Sequence, residues 1–342
     1  MRRVLIARPG GYEQLQIVEE PTPSPAAGEV LIEVGAAGVN YADGIIRMGL
    51  YESAKRLHGY PITPGFEVAG RIAALGDGVQ GWQIGDAVIG LTLFRGYTSH
   101  LCLPVDRVFR LPERLSIEQG AALPTVFLTA WFMVEELLRW HPGDRWLVHS
   151  AAGGVGSALA QLGRLAGCEV VGVIGSAHKR ETALAMGCAQ VIDKSSEALW
   201  PRARELAPDG YQAIFDANGV STLAQSYAHL GPTGKLLIYG FASMLPQDGR
   251  LNWLKLAWDW LRTPRFNPLS MTRDNKSVMA CNLSFLSAHA PRLRLGMSWL
   301  LERFADGRLQ APPVSAYRLD QVADAHRAIE SGRTVGKLVL KP

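Results

Sequence analysis

The stretch Leu147–Gly167, LVHSAAGGVGSALAQLGRLAG, sets three glycines, Gly153, Gly154 and Gly156, between an apolar run and a segment of helical period. An apolar run, a glycine turn and then a helix is the order of a buried strand leading into a crossover helix. The strand is expected over Arg145–Ser150 and the helix over Gly154–Ala166. Glycines at such a turn serve either tight packing or the close approach of a ligand to the main chain. At the mouth of a parallel sheet, the turn Gly153–Gly154–Val155 would present free N–H groups and the positive end of a helix to a pyrophosphate. A side chain at Gly153 or Gly154 would keep the phosphates off the backbone, and Gly156 would let helix and strand touch. Ala151 stands where the usual GxGxxG spacing has its first glycine.

The same rhythm continues on the C-terminal side. EVVGVIG, AQVID, YQAIFDAN and GKLLIYG read as further strands, with helices at Lys179–Met186 and over STLAQSYAHL between them. Strands alternating with helices predict right-handed crossovers and a parallel, Rossmann-type sheet. Before residue 120 the pattern differs. VLIEVGAAGVN, FEVAGRIAAL and DAVIGL are short apolar runs broken by Gly and Pro, as in a mostly β domain. The C-terminal end returns to a mixed pattern: VSAYRL, a helix over Asp320–Ser331 with Asp320 as its N-cap, then GKLVLKP. The expected fold is therefore α/β, with a parallel dinucleotide-binding domain (125–284) inserted into a mostly β domain made of 1–124 and 285–342.

In dinucleotide-binding sheets an Asp or Glu about 20 residues past the glycines takes the ribose 2′-OH of NAD. Here Gly175 and Ser176 end the second strand, Lys179 and Arg180 follow, and Lys194 comes after the third. No carboxylate would repel a 2′-phosphate, and cations stand near to pair with it, so NADPH is expected over NADH. The alternative is that Lys179 and Arg180 merely begin a solvated helix. After the fourth strand, Asn218 would come near the adenine or ribose. After the fifth, Tyr239, Gly240 and Phe241 would pass along the nicotinamide half, each being equally suited to a turn.

Composition narrows the remaining classes. A chain that is 48% hydrophobic and 19% charged is that of an ordinary globular protein. Its net charge of +4 includes no run of five basic residues, so nucleic-acid binding has little support. Cys102, Cys168, Cys188 and Cys281 form no CxxC pair and read as incidental thiols of a reducing compartment. The apolar run of MRRVLIARPGG stops at Arg8, too short for a signal peptide or a membrane span, and a cytoplasmic location is expected.

Segments across nearly the whole chain resemble the medium-chain dehydrogenase/reductase superfamily: GEVLIEVGAAGVNYADGIIRMGLY, PGFEVAGRIAALGDGVQGWQIGDAV, AALPTVFLTAWF, LVHSAAGGVG, VIDKSS, FDANG, GKLLIYG and the terminal GKLVLKP. They are most similar to its zinc-free quinone oxidoreductases. NPLSMTRDNKSVMACNLSFL looks most like the vesicle-amine-transport-like branch of that group. The resemblance implies a GroES-like catalytic domain around the Rossmann-type one. Zinc alcohol dehydrogenases of the superfamily have Cys where this chain has Asn40, and His-Glu where it has Phe66-Glu67. Their third ligand falls near Thr125, and the four-cysteine structural zinc loop is missing as well. No metal is expected.

Without a Lewis acid, an acceptor that spreads negative charge is favoured, and quinones and α,β-unsaturated carbonyls do so. The cofactor carries the hydride while the protein orients it and excludes water. The resemblance implies that Asn40 sits near the nicotinamide ribose or the substrate oxygen. It also places Tyr51 near the nicotinamide and Thr129 on the nicotinamide side. Tyr41, where related chains often have Phe, and Asp43 complete the candidates. A tyrosine hydroxyl is suited to donate to a developing oxyanion, whereas Asp43 equally suits a helix cap and either tyrosine a packing role. Lys337 reads as a solvated lysine at the start of a strand, the alternative being that it reaches the cleft.

LNWLKLAWDWLRTPRFNP concentrates three tryptophans, with Leu251, Leu254, Trp258 and Leu261 on one helical face. Burial, under a partner subunit or as a cap over substrate, is expected. An interfacial helix docking on membrane, flanked by Lys255, Arg262 and Arg265, is the alternative. The following KSVMACNLSF looks like the edge strand that pairs with its symmetry mate, giving a homodimer. Two other activities stay open: an enoyl-thioester reductase, and a low-turnover NADPH-binding protein at a membrane surface.

Overall fold

The computed structural model describes residues 1–244, 252–285 and 290–342. The chain divides into two compact units, Met1–Leu128 with Ser284–Pro342, and Thr129–Leu283. The first boundary falls inside the helix Pro124–Trp131.

The first unit is built on β-strands. In chain order these are β1 (Arg2–Leu5), β2 (Gln16–Glu19), β3 (Glu29–Val39), β4 (Glu67–Leu75), β5 (Ala87–Leu91), β6 (His100–Pro104) and β7 (Val108–Arg110). β1 and β2 form a small antiparallel pair of their own. The strands β3–β7 are antiparallel neighbours, with β3 lying between β4 and β6. Their inward residues, among them Val30, Ile32, Val34, Val68, Ile72 and Val88, make one core. Val30, Ile32 and Val34 recur at the period of two that puts them on one face of β3.

The second unit holds β8 (Arg145–Val148), β9 (Glu169–Ile174), β10 (Gln190–Asp193), β11 (Tyr211–Asp216), β12 (Leu230–Ile238) and β13 (Ser277–Ala280). They form one sheet in the order β10-β9-β8-β11-β12-β13, and every pairing is parallel. This is the doubly wound dinucleotide-binding order, with its switch point between β8 and β11. Unbroken apolar strands such as EVVGVI suit a sheet covered on both faces. Leu147, Val171, Val173, Ile192, Ile214 and Leu236 form its core.

The chain then returns to the first unit through β14 (Val314–Arg318) and β15 (Lys337–Lys341). β15 pairs antiparallel with β3 and parallel with β14, which lies at the end of the sheet. Between them runs the helix Val322–Glu330. Its N-cap is Gln321, not Asp320. Asp320 lies one residue earlier in a 3₁₀ turn, where its carboxylate is engaged by Arg318 at 2.9 Å.

The tryptophan-rich segment forms a helix over Trp253–Arg262, capped by the Asn252 side chain. Within the single chain the apolar face of this helix is not covered by the described residues. Trp253, Leu254, Trp258, Trp260 and Leu261 are all exposed, Leu254 to 85% and Trp258 to 60%. The buried residue is Asp259. It pairs with Lys255, whose ammonium also reaches the Ser243 carbonyl at 2.8 Å. The helix thus meets its own unit through a polar seam, which turns the apolar stripe outward. Leu251 lies outside the described residues.

Candidate active site

All five strands from β8 to β12 point the same way, so their C-terminal ends share one edge of the sheet. The glycine turn opens that edge. Ser150 has a positive φ of 55°, which reverses the chain directly after β8. The helix Gly154–Leu165 starts after the N-cap Gly153. A Cβ on Gly156 would stand 2.3 Å from the Ser150 carbonyl oxygen, so only glycine lets the helix approach the strand this closely. A Cβ on Gly153 would meet only that same oxygen, at 3.2 Å. The amides of Gly154, Val155 and Gly156 are first-turn donors without an intrahelical partner. A bare, open helix start of this kind fits a pyrophosphate.

The next two ends carry the cations. Gly175 and Ser176 follow β9, and Lys194 follows β10. A Cβ on Gly175 would have Lys194 Cε as its neighbour at 3.7 Å, so the Lys194 stem passes over this turn. Lys179 lies in the 3₁₀ turn Ala177–Lys179. Burial lowers its pKa, and the nearby Lys194 lowers it further. Two ammonium groups close enough to perturb each other suit a doubly charged phosphate. Ser176 contributes a hydroxyl, 3.2 Å from His178 Nδ1.

At the far side, one buried carboxylate organises two loops. Asp216, which ends β11, accepts from the amides of Asn218 and Gly219 and from the hydroxyls of Thr222 and Ser226 at 2.7–3.1 Å. The backbone of the Tyr239–Ser243 segment then runs alongside: Tyr239 N donates to Asp216 O, Ala242 N to Ala217 O and Ser243 N to Asn218 O. Gly219 has φ 82°, and a Cβ there would strike Phe241 at 2.7 Å. A Cβ on Gly240 would stand 2.8 Å from the Ala217 carbonyl. Asn218, Tyr239, Gly240 and Phe241 are therefore held together as one double loop. The Asp216–Thr222–Ser226 cluster behind it went unrecognised in the sequence, where only its spacing, D-x₅-T-x₃-S, is visible.

The first unit gathers the other candidates. β15 and β3 pair so that Leu338 faces Val39, and β4 lies on the other side of β3 with Val68 opposite Ala37. That register brings Lys337, Asn40 and Glu67 together. Glu67 Oε1 stands 2.7 Å from Lys337 Nζ and accepts from Asn40 Nδ2 at 3.0 Å, while Oε2 accepts from Thr125 N at 2.6 Å. Lys337 Nζ also donates to Asn40 Oδ1. Lys337 is 4% exposed, so the expected solvated lysine is instead a buried one. The reason is the register: its ammonium has two oxygens to bind inside the sheet. Gly38 makes the room, since a Cβ there would lie 2.2 Å from Glu67 Oε1.

Asp43 is fully buried and accepts from Asn40 N at 2.7 Å, Gly65 N at 3.0 Å and the Tyr97 hydroxyl at 2.8 Å. Burial pushes its carboxyl up to about 7, against the pull of these three donors. It caps the helix Tyr41–Arg47 and ties it to the Gly65 turn. Tyr41 begins that helix, and burial followed by the charge of Glu330 pushes its phenol up to about 12, so it stays a neutral donor. The Tyr51 and Ser284 hydroxyls are joined at 2.7 Å, and the Tyr51 ring meets Phe66 edge-on at 6.1 Å. Thr129 lies in the helix Pro124–Trp131. No group of three or more His, Cys, Asp or Glu able to hold a metal occurs among the described residues.

A parallel sheet of this order with a bare helix start, inserted in a mixed β unit, is matched by known proteins. Residues 26–113 match the family described as alcohol dehydrogenase GroES-like domain, and residues 186–340 that described as zinc-binding dehydrogenase. A synaptic vesicle membrane protein VAT-1 homolog of Danio rerio is 32% identical over 99% of this chain and 69% of its own length. The chain belongs to the medium-chain dehydrogenase/reductase superfamily. Within the superfamily, its structure is similar to that of the Escherichia coli quinone oxidoreductase complexed with NADPH (TM-score 0.85, 28% identity, all of both chains covered). It is also similar to the CurK enoyl reductase (TM-score 0.83, 28% identity, 99% and 98% covered). No helix among the described residues is long and apolar enough to cross a membrane.

Proposed function

We propose that the protein is an NADPH-dependent, zinc-independent reductase of quinones or α,β-unsaturated carbonyls. The observation that carries this reading is the buried ammonium of Lys337, 2.7 Å from Glu67. The resemblance puts the metal ligands of the superfamily's zinc enzymes at the positions of Asn40 and Phe66 and near Thr125. In this chain Glu67 already takes three donors and Asn40 is bonded to the ammonium, so a divalent cation does not fit beside them. With no Lewis acid, a conjugated acceptor is the substrate class whose transition-state charge hydrogen-bond donors can stabilise.

NADPH, when bound, supplies the hydride. The first-turn amides of Gly154, Val155 and Gly156 would hold its pyrophosphate, and Lys179, Lys194 and Ser176 its 2′-phosphate. The double loop of Asn218 and Tyr239–Phe241 would flank its ribose and nicotinamide halves, and Thr129 the nicotinamide side. Asn40, Tyr41 and Tyr51 are the proposed donors toward the substrate oxygen, with Asp43 holding the helix start on which Asn40 and Tyr41 sit. The E. coli quinone oxidoreductase solved with NADPH supports the cofactor.

Two neighbouring readings have support of their own. An enoyl thioester is the alternative acceptor, consistent with the likeness to the CurK enoyl reductase. A low-turnover NADPH-binding protein at a membrane surface is favoured by the outward-facing Trp253, Leu254, Trp258 and Leu261. A twofold homodimer through the outer edge of β13, which ends its sheet, is also proposed. It is checked by light scattering.

The deciding experiment follows NADPH absorbance with a quinone, an enone and an enoyl thioester in turn. Turnover with the first two, unchanged by a chelator and without stoichiometric zinc in the protein, is expected. Tight NADPH binding with no turnover would instead support the membrane-surface reading.

A further inference from the structure

Asn40 is held at both ends of its amide by opposite charges. Its Oδ1 receives Lys337 Nζ, and its Nδ2 donates one hydrogen to Glu67 Oε1 at 3.0 Å. A primary amide has two N–H donors and a carbonyl with two lone pairs. Turning it over would set its carbonyl against the Glu67 carboxylate and its NH₂ against the Lys337 ammonium, so both contacts would become repulsive. Glu67 cannot rotate to relieve this, because its other oxygen is fixed by Thr125 N at 2.6 Å. Lys337 and Glu67 are 4% and 0% exposed, so solvent does little to screen the pair. Ordinarily a buried ion pair is a weak contributor to stability, and an apolar pair of similar volume often serves as well. A purely structural role therefore leaves the choice of Lys and Glu at these positions unexplained.

We infer that Lys337 and Glu67 are positioning residues that lock the polarity of the Asn40 amide, so that its second Nδ2–H is always the group presented to the substrate oxygen. The inference rests on the reductase reading proposed above. It gives the ion pair a task that a hydrophobic pair could not perform. A neutral pair would leave the amide to spend part of its time with the carbonyl forward, repelling the oxygen on which negative charge grows.

Two measurements test this. The first needs no turnover: in protein labelled at asparagine side chains, one Asn40 Nδ2 proton should lie downfield of the ordinary side-chain amide range by NMR and exchange slowly, because it is bound to a carboxylate. Both the shift and the protection should be lost in the neutral double variant Glu67→Gln/Lys337→Met. Two Asn40 protons at ordinary shifts and in fast exchange in the wild type would overturn the inference. The second is kinetic, in the intact protein with NADPH and a quinone. The double variant should keep the wild-type Kd for NADPH and the wild-type KM, while kcat falls by about tenfold to a hundredfold, part of the loss typical of a missing oxyanion donor. Asn40→Ala should lower kcat at least as much, and adding the Glu67→Gln/Lys337→Met pair to Asn40→Ala should cost nothing further. Effects that multiply, or an unchanged kcat in the double variant, would sink the idea. Should the double variant not fold, Asn40→Ala keeps the inference falsifiable: an unchanged kcat at unchanged Tm would count against it. A wild type that turns over no acceptor refutes the reductase reading alone, because the NMR result still decides the amide's polarity.

Discussion

Asp43 and Tyr97 share a hydrogen bond of 2.8 Å in a place where both side chains are wholly buried. Each alters the other. The carboxylate raises the pKa of the phenol beyond what burial already does, and the phenol lowers that of the carboxyl against the stronger effect of burial. The net result for Asp43 is a carboxyl near 7 in the fold.

Asp43 should therefore contribute a pH-dependent share of the stability. The folded protein binds the Asp43 proton more tightly than the unfolded chain, whose carboxyl titrates about 4. Its contribution is present below the unfolded value and is lost as pH rises toward 7. The buried His326, whose pKa burial lowers to about 3, contributes a slope of the opposite sign, so the Asp43 share is read as a difference between proteins. The Tm of the wild type minus that of Asp43→Asn is expected to fall between pH 5 and about 8 in differential scanning fluorimetry. Asp43→Asn should also cost about 1–3 kcal/mol, since one of the amides of Asn40 and Gly65 loses its acceptor. A variant with the wild-type slope would show that another group titrates.

Gly156 admits no side chain. Its Cβ would be 2.3 Å from the Ser150 oxygen and 2.8 Å from the Ala151 Cα, both main-chain atoms that cannot step aside. Gly156→Ala is expected to cost about 1–3 kcal/mol in urea unfolding and to weaken NADPH binding as the helix start is displaced. Normal stability and affinity would mean that the turn yields more readily than its geometry indicates.

Lys179 and Lys194 should discriminate between the two nicotinamide cofactors. Lys179→Ala and Lys194→Ala are each expected to weaken NADPH by about tenfold, the scale of one charge-assisted hydrogen bond, and NADH much less. Titration calorimetry with both cofactors reads the ratio. Equal weakening of NADPH and NADH would argue against a 2′-phosphate between these lysines.

The exposed tryptophans should be visible in solution. Trp253, Trp258 and Trp260 are each at least 60% exposed, whereas Trp146 is wholly buried. Acrylamide should quench a red-shifted part of the emission strongly, and the triple replacement Trp253→Phe/Trp258→Phe/Trp260→Phe should remove that part. A triple variant with unchanged quenching would show that these rings are covered in solution.

The architecture was legible because it follows from local patterns. Apolar runs ending in glycine turns, alternating with helical periods, can bury themselves only as a parallel sheet with crossovers. The helix at Gly154 and the strands Glu169–Ile174 and Tyr211–Asp216 lie where those periods put them. Gly156 too could be read in advance as a close helix–strand contact, since a turn of that kind is decided within a few residues.

What the chain could not reveal locally were pairings between distant segments. Lys337 reads as an exposed lysine because nothing near it in sequence is acidic; only the β15–β3–β4 register brings Glu67 and Asn40 within reach of its ammonium. The side of the tryptophan helix that meets its own unit is decided in the same way, by where Ser243 and the Lys255–Asp259 pair sit. Local periodicity fixes the shape of an element, because side-chain direction repeats with the backbone. Which face is buried, and which charges meet, is decided only when the elements are assembled, because those energies belong to pairs of residues that the chain alone does not bring together.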